Sequence, residues 1–396
     1  MSIEKRTDNS NNRFSILNVI SISVSHHIHD IFTAFLAALQ PTIVATFGLN
    51  NRLFGLLSVI QRIPTLLNPF IGILAEKVRI RYLMIMAPTL TAVSMSLMGL
   101  MPNYLYLSVL IFISGFSSAL FHVPTPVMMR HVSGKKPGLG MGFYMFGGEF
   151  ARTVGPVVAL GAVDLWGFDG MFRLIPAGVV SSLLLFIRFR KVDLRKEFNK
   201  NKKDEGSYIE VFKNYSFLLI MITSVTLVTG GMKSIFTYYL VGYLEGIGWG
   251  TWQAGLGLST VYLSGTIGSF IAGMVSDIIG KRTTLILSAF IAPTLVLFFI
   301  FSPATQFSFT LLALIGFFLL AHTPVFLSVV NSIKSKHVTF LNGIYMTINF
   351  LMSATATMMA GFGLDFIGTE ATLKIAAFIA LLAIPIVIFI PIKNKQ

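Results

Sequence analysis

Cysteine is missing from all 396 residues, which removes disulfides, thiol nucleophiles and cysteine-ligated zinc or iron–sulfur centres from consideration. Charge is scarce too. Asp, Glu, Lys and Arg together make up 12% of the chain, about half the share a soluble domain carries. Acids are the scarcest, 16 against 30 basic residues. No Walker sequence or other Gly-rich phosphate loop occurs, so ATP is not the energy source. No clustered catalytic set and no soluble output domain stand out, and neither an enzyme nor a sensor is expected. The polar start, MSIEKRTDNSNNR, lacks a short apolar core ending in a small-residue cleavage site, so no cleaved signal peptide is expected.

Apolar sequence dominates what remains. Hydrophobic residues reach 54%, more than a soluble core of this size can hide, and the excess must face lipid. A helical span needs about 20 mainly apolar residues. Segments 14–39, 52–75, 82–101, 104–129, 138–163, 170–189, 215–242, 250–275, 283–301, 306–330, 339–364 and 371–391 meet that need. The fold class is therefore an all-α integral membrane protein with twelve transmembrane helices. The one long polar stretch, 190–213, divides them six and six. The expected organisation is a tail (1–13), a six-helix bundle (14–189), a linker (190–213), a second six-helix bundle (214–392) and a short tail (393–396). The net charge of +14 invites a nucleic-acid reading, but the basic residues lie in short gaps between apolar runs. With the N-terminus inside, 24 of the 30 Lys and Arg residues fall on inner segments, and only Arg52, Arg173 and Lys374 on outer ones. The positive-inside rule then places both termini in the cytoplasm, and the linker's charge suits contact with anionic lipid.

The halves echo each other. GILAEKVRIR (72–81) follows the second span and GMVSDIIGKR (273–282) follows the eighth, at matching places in each half. The second copy, through Gly273, Asp277, Gly280, Lys281 and Arg282, resembles the loop signature of the major facilitator superfamily. The first copy keeps Gly72, Glu76, Lys77 and Arg81 but has Arg79 where a glycine would stand. The resemblance implies two pseudo-symmetric six-helix bundles, the plan of many secondary transporters, with these loops acting in gating. In that reading Asp277 pairs with basic groups or a helix end in one conformation, while Gly273 and Gly280 permit close approach and a tight turn.

A narrower resemblance covers most of the chain. SHHIHD (25–30) is similar to the Ser-His-x-x-x-Asp signature of fosmidomycin-resistance-type transporters. GFSSALFH (115–122), SGKKPGL (133–139), Gly147–Gly148 and Gly155–Pro156 follow in that family's order and spacing. Proton-driven efflux of phosphonate drugs is what the resemblance implies. Val123 stands where the family has proline, and Glu149, Arg152 and Arg62 replace small, amide or apolar residues, all where a substrate would sit.

Ionisable side chains at membrane depth are costly unless paired or hydrated, so they are the first functional candidates. His26 and Asp30 are four apart on one helix face and can exchange a proton near neutral pH. His27 and His29 fall on other faces. Glu149 and Arg152, three apart in the fifth span, can exchange partners: an anion takes the arginine while the glutamate takes a proton. Competition of that kind makes the two occupancies interdependent. Arg62, Lys233, His122 and His322 complete the intramembrane set, with Tyr144, Tyr238 and Tyr239 sharing spans with the charges. Arg grips an anion bidentately. His122 and His322 occupy pseudo-symmetric positions. Neither histidine group has the spacing of a built-in metal site, and no metal or cofactor is expected.

Together these readings describe a proton-coupled secondary transporter in a bacterial inner membrane. It works by alternating access, exports a small anionic or amphiphilic molecule and acts as a monomer. His26, Asp30 and Glu149 are the proton candidates. Arg62, His122, Tyr144, Arg152, Lys233, Tyr238 and His322 are the substrate candidates. An importer or facilitator of an organic anion, such as a carboxylate metabolite or metal chelator, remains the alternative, because sequence does not encode direction.

Overall fold

Lipid offers the backbone no hydrogen-bond partners, so a chain this apolar has to satisfy its peptide groups within helices. The computed structural model describes residues 14–68, 71, 81–190, 208–302, 307–331, 333 and 338–391. Among them all regular structure is helical. In chain order the helices are α1 (Ile16–Thr33), a single turn (Phe35–Ala38), α2 (Gln40–Phe47), α3 (Asn51–Arg62), α4 (Arg81–Ser96), α5 (Tyr104–His122), α6 (Thr125–Val132), α7 (Pro137–Trp166) and α8 (Ile175–Phe189). There follow α9 (Tyr208–Val225), α10 (Gly231–Gly246), α11 (Thr251–Ile278), α12 (Lys281–Phe301), α13 (Ser308–Leu319), α14 (His322–Asn331), α15 (Val338–Ile367), α16 (Thr369–Leu381) and α17 (Ala383–Phe389).

Local sequence explains the boundaries. The Asn103 side chain accepts from the Leu105 and Tyr106 N–H groups and so caps α5. Prolines open α2, α6, α7 and α8, where a missing N–H costs nothing. Hydroxyls inside the spans turn back on their own helix: Thr223 donates to the Leu219 carbonyl, Thr229 to Val225 and Thr260 to Leu256. That is the cheapest partner a hydroxyl finds in lipid. Burial departs from that of a soluble protein at both ends of the scale. Leu165, Phe270 and Phe366 are more than 70% exposed, whereas Ser25, His29 and Asp30 are buried.

Among the described residues eight helices are long and apolar enough to cross a membrane, or nine with the first span counted as one bent unit. That span turns by 58° between Ala38 and Gln40. The expected second, third and fifth spans are the ones not counted. α3 ends at Arg62 and tightens into a 3-10 turn over Ile63–Leu67. α4 is 16 residues long. α7 runs for 30 residues but carries Glu149 and Arg152.

The chain divides into two compact units, residues 1–35 with 63–203 and residues 36–62 with 204–396. In unit 1, α1 lies along α7, and α4 packs against both α5 and α8. In unit 2, α3 lies along α15, and α11 along α13. Asp365 near the end of α15 fastens the α3 contact. Its Oδ1 accepts from the Asn51 N–H (2.9 Å) and Nδ2 (3.0 Å), its Oδ2 from the Arg52 N–H and Nε (both 3.2 Å). A carboxylate so placed satisfies N–H groups that the first turn of α3 cannot, and suits the positive end of its dipole. The Tyr239 hydroxyl, from α10, donates to the Thr357 carbonyl of α15 (3.1 Å) and lies 3.3 Å from the Asn51 carbonyl.

The internal repeat reappears as a shared break. α5 stops at His122 before α6 begins at Thr125, and α13 stops at Leu319 before α14 begins at His322. Both breaks carry a histidine, one in each unit.

Candidate functional site

Three helices of unit 1 bring their polar residues to one place. α1 supplies His26, His29 and Asp30, α5 ends on His122, and α7 contributes Tyr144 and Gly148. His26 Nε2 lies 3.3 Å from Asp30 Oδ2, and His122 Nε2 lies 3.3 Å from Asp30 Oδ1. His29 Nε2 is 3.9 Å from the same Oδ1. His29 therefore belongs to the cluster, although its position along α1 suggests another face. The Asp30 carboxylate sits between its helix neighbours and closes on both.

The hydrogen bonds around this cluster fix which nitrogens carry protons. His26 Nδ1–H donates to the Tyr144 carbonyl (2.8 Å). Around His29 a directed chain ends on a carbonyl: Ser117 donates to the Ala87 carbonyl (2.7 Å) and Thr91 donates to Ser117 (2.7 Å). Thr91 Oγ1 then accepts from His29 Nδ1–H (3.0 Å). In the neutral form of either ring Nε2 is thus left as a bare lone pair. His26 Nε2, His29 Nε2 and Asp30 Oδ1 are buried, and none is aligned in a hydrogen bond. Acceptors facing acceptors away from water is an unfavourable arrangement that a cation relieves.

Tyr144 organises the site. Its ring stacks on His26 with centroids 4.0 Å apart, and its hydroxyl lies 3.0 Å from His122 Nδ1. Phe121 stacks on His29 at 4.6 Å. Gly148 is the close-approach position. A Cβ there would sit 2.4 Å from His26 Cε1 and 2.7 Å from His26 Nε2. Its neighbour Gly147 lies against the Ser23 backbone, where a Cβ would meet the carbonyl at 2.5 Å. The paired glycines let α7 come near enough to α1 to wrap the histidines.

Glu149 and Arg152 form a direct pair one turn along α7. Arg152 Nη1 donates to both Glu149 oxygens, at 3.0 and 2.9 Å. Their side chains are 27% and 41% exposed, so both are reachable from outside the packed helices. His27 stands apart from Asp30, donating from Nδ1 to the Gly147 carbonyl (3.0 Å) and stacking on Phe150.

Unit 2 holds a second polar group. Lys233 and His322 line a recess with Thr226, Thr229, Tyr345 and Asn349. His322 Nε2 lies 3.3 Å from the Ser288 hydroxyl. The helix opens into a π-turn over Thr226–Gly230, immediately before Lys233, a distortion that often accompanies function. Nothing in the spacing of Thr226, Thr229, Tyr345 or Asn349 marks them in advance. Two hydroxyls three apart near a half-buried lysine were the available signal. Arg62 packs its guanidinium over Phe350 at 5.0 Å, and Tyr238 donates to Gln61 at 3.4 Å.

Of the loop signatures, Gly72, Glu76 and Lys77 lie outside the described residues. In the second copy Gly280 makes the turn with φ +92°, as a tight turn requires. Lys281 donates to the Ser328 carbonyl (2.8 Å) and Arg282 to the Ile390 carbonyl (2.7 Å), holding the start of α12 against its neighbours. Asp277 is exposed. Gly273 faces open space, so close packing does not require glycine there, contrary to expectation.

A two-unit bundle of apolar helices with ionisable clusters held inside it defines a polytopic membrane transporter. The Major Facilitator Superfamily model matches residues 22–261 and 224–396. The chain belongs to the major facilitator superfamily, moves a small molecule and is not an enzyme. It is 24% identical over 395 residues to the fosmidomycin resistance protein of Escherichia coli, spanning 97% of this chain and 95% of that one. It is 23% identical to YfnC of Bacillus subtilis, described as an uncharacterized MFS-type transporter, over 92% and 91% of the two chains. PmrA of Streptococcus pneumoniae, a multi-drug resistance efflux pump, matches at 22% over 63% of this chain and 65% of its own. Among solved structures, a bacterial homologue of the human lysosomal transporter Spinster, inward-facing and unoccupied, superposes with a TM-score of 0.74 at 11% identity, covering 94% of each chain. A mutant of the nucleoside transporter NupG superposes at 0.76 and 12% identity, covering 95% of this chain and all of its own.

Proposed function

We propose that this protein is a proton-coupled exporter of small anionic or amphiphilic molecules, working by alternating access in a bacterial inner membrane with both termini cytoplasmic. One observation carries the proton assignment: His26 Nε2 and His29 Nε2 both face the Asp30 carboxylate, and these two nitrogens and Asp30 Oδ1 are buried without an aligned donor. A proton shared by Asp30 and its histidines supplies the missing donor. His122 contacts the same carboxylate and is the most open of its partners, with 37% of its side chain exposed. It gives the proton its route in and out.

Arg152 and Lys233 are the substrate cations, one in each unit. Glu149 already holds Arg152, so an arriving anion displaces the carboxylate, which then takes a proton. That exchange ties substrate to proton. In a double-mutant cycle of Glu149→Gln and Arg152→Gln, transport losses will be non-additive by about 1 kcal/mol or more; purely additive losses would remove the pair from the mechanism.

Resistance and efflux relatives support export and a phosphonate-like substrate. The test is uptake of labelled fosmidomycin into proteoliposomes, with and without an imposed pH gradient and with anionic and cationic competitors. Gradient-dependent accumulation blocked by anions is expected. Equal accumulation without a gradient would rule out coupling, and equal inhibition by cations would rule out the anion site.

A further inference from the structure

We propose that His26, His122 and Asp30 form a binding site for a single divalent transition-metal ion of the zinc type. The spacing along α1 does not indicate one, because the third ligand comes from α5, far away in sequence.

The geometry is that of an incomplete tetrahedron. Zinc bound to imidazole and carboxylate at about 2.0–2.2 Å places its ligand atoms about 3.3 Å apart. Asp30 Oδ2 lies 3.3 Å from His26 Nε2 and Asp30 Oδ1 lies 3.3 Å from His122 Nε2, and one ligand atom from each of the three residues lies within 4.8 Å of the others. Drawing both imidazoles onto one carboxylate oxygen completes the set, and the partly exposed His122 is the ligand placed to move. Two imidazoles and one carboxylate select a borderline ion over magnesium or calcium, which take oxygen ligands.

The nitrogens are prepared for a metal. A ligating histidine presents one nitrogen as a lone pair and donates from the other to a fixed acceptor. His26 does this through Nδ1–H to the Tyr144 carbonyl at 2.8 Å. His122 Nδ1 meets the hydroxyl of the same tyrosine at 3.0 Å. His26 Nε2 and Asp30 Oδ1 are buried atoms without an aligned partner, both aimed into the proposed site. Tyr144 thereby holds both imidazole ligands, and three protein ligands leave a fourth position for water.

Zinc titrated into the purified full-length protein in detergent, followed by calorimetry at fixed pH, tests the site without any transport measurement. A failure here therefore leaves the transport reading untouched. One zinc per chain is expected, with excess magnesium unable to displace it. His122→Ala and Asp30→Asn will each weaken it by at least about 100-fold, while His27→Ala, whose ring points elsewhere, will not. Cobalt added to the unaltered protein supplies a second readout that needs no variant, because its visible absorption reports a tetrahedral nitrogen–oxygen set. No zinc binding, binding that survives both ligand substitutions, or an octahedral cobalt spectrum would overturn the assignment.

Discussion

Asp30→Asn will abolish accumulation driven by a pH gradient while leaving exchange of substrate between the two sides of the membrane intact. The substitution preserves size and one acceptor oxygen but removes the carboxylate. Asp30 is 4% exposed and lies within 3.3 Å of two imidazoles and 3.9 Å of a third. With an amide there, no carboxylate is left to hold a proton among the rings. Proton-transfer groups contribute about 100-fold or more to the steps they serve, so gradient-driven accumulation should fall by roughly that factor. Exchange needs no net proton movement and therefore monitors folding and substrate binding at once. Accumulation at the unaltered rate in Asp30→Asn would move the coupling site elsewhere, with Glu149 the first place to look.

Much of this architecture was legible because lipid imposes it. Apolar stretches of span length have to be helices, and two of the expected spans coincide with observed helices to within a few residues: 250–275 against Thr251–Ile278, and 283–301 against Lys281–Phe301. The bends were harder to see. Gln40–Phe47 continues the first span as a helix at 58°, because Pro41 is tolerated in a first turn and restarts the helix after Leu39. The site was legible in pairs and not in assemblies. His26 with Asp30, and Glu149 with Arg152, follow from helical spacing alone. His122 and Tyr144 drew attention as single polar residues in apolar spans, but their meeting at Asp30 depends on tertiary packing that no periodicity encodes. His29 was misplaced for a related reason. One residue from Asp30 along α1, it points elsewhere on a helical wheel, yet its long ring turns back to within 3.9 Å. The hydroxyl chain of Thr91, Ser117 and the Ala87 carbonyl crosses two helices and left no local trace.

Gly148→Ala is expected to cost transport as heavily as loss of Asp30, through geometry instead of charge. The added methyl would lie 2.4 Å from His26 Cε1 and 3.2 Å from Asp30 Oδ2, so His26 or the whole of α7 must move. His26 cannot simply swing aside. Its Nδ1 is bonded to the Tyr144 carbonyl and its ring stacks on Tyr144, four residues before Gly148 on the same helix. Backing α7 away instead breaks the contact that Gly147 makes with the Ser23 carbonyl. Overpacking of this kind costs about 1–3 kcal/mol, read as a lower midpoint of thermal unfolding in detergent. The origin of that loss can be isolated. In a His26→Ala background the space vacated by the ring admits the methyl, so Gly148→Ala should there have little further effect on stability. An undiminished loss in that background would place the clash on the helix backbone and not on the histidine. Recovery of stability without recovery of transport is the expected pair of results, because the double variant packs well but has lost the imidazole that shares Asp30's proton.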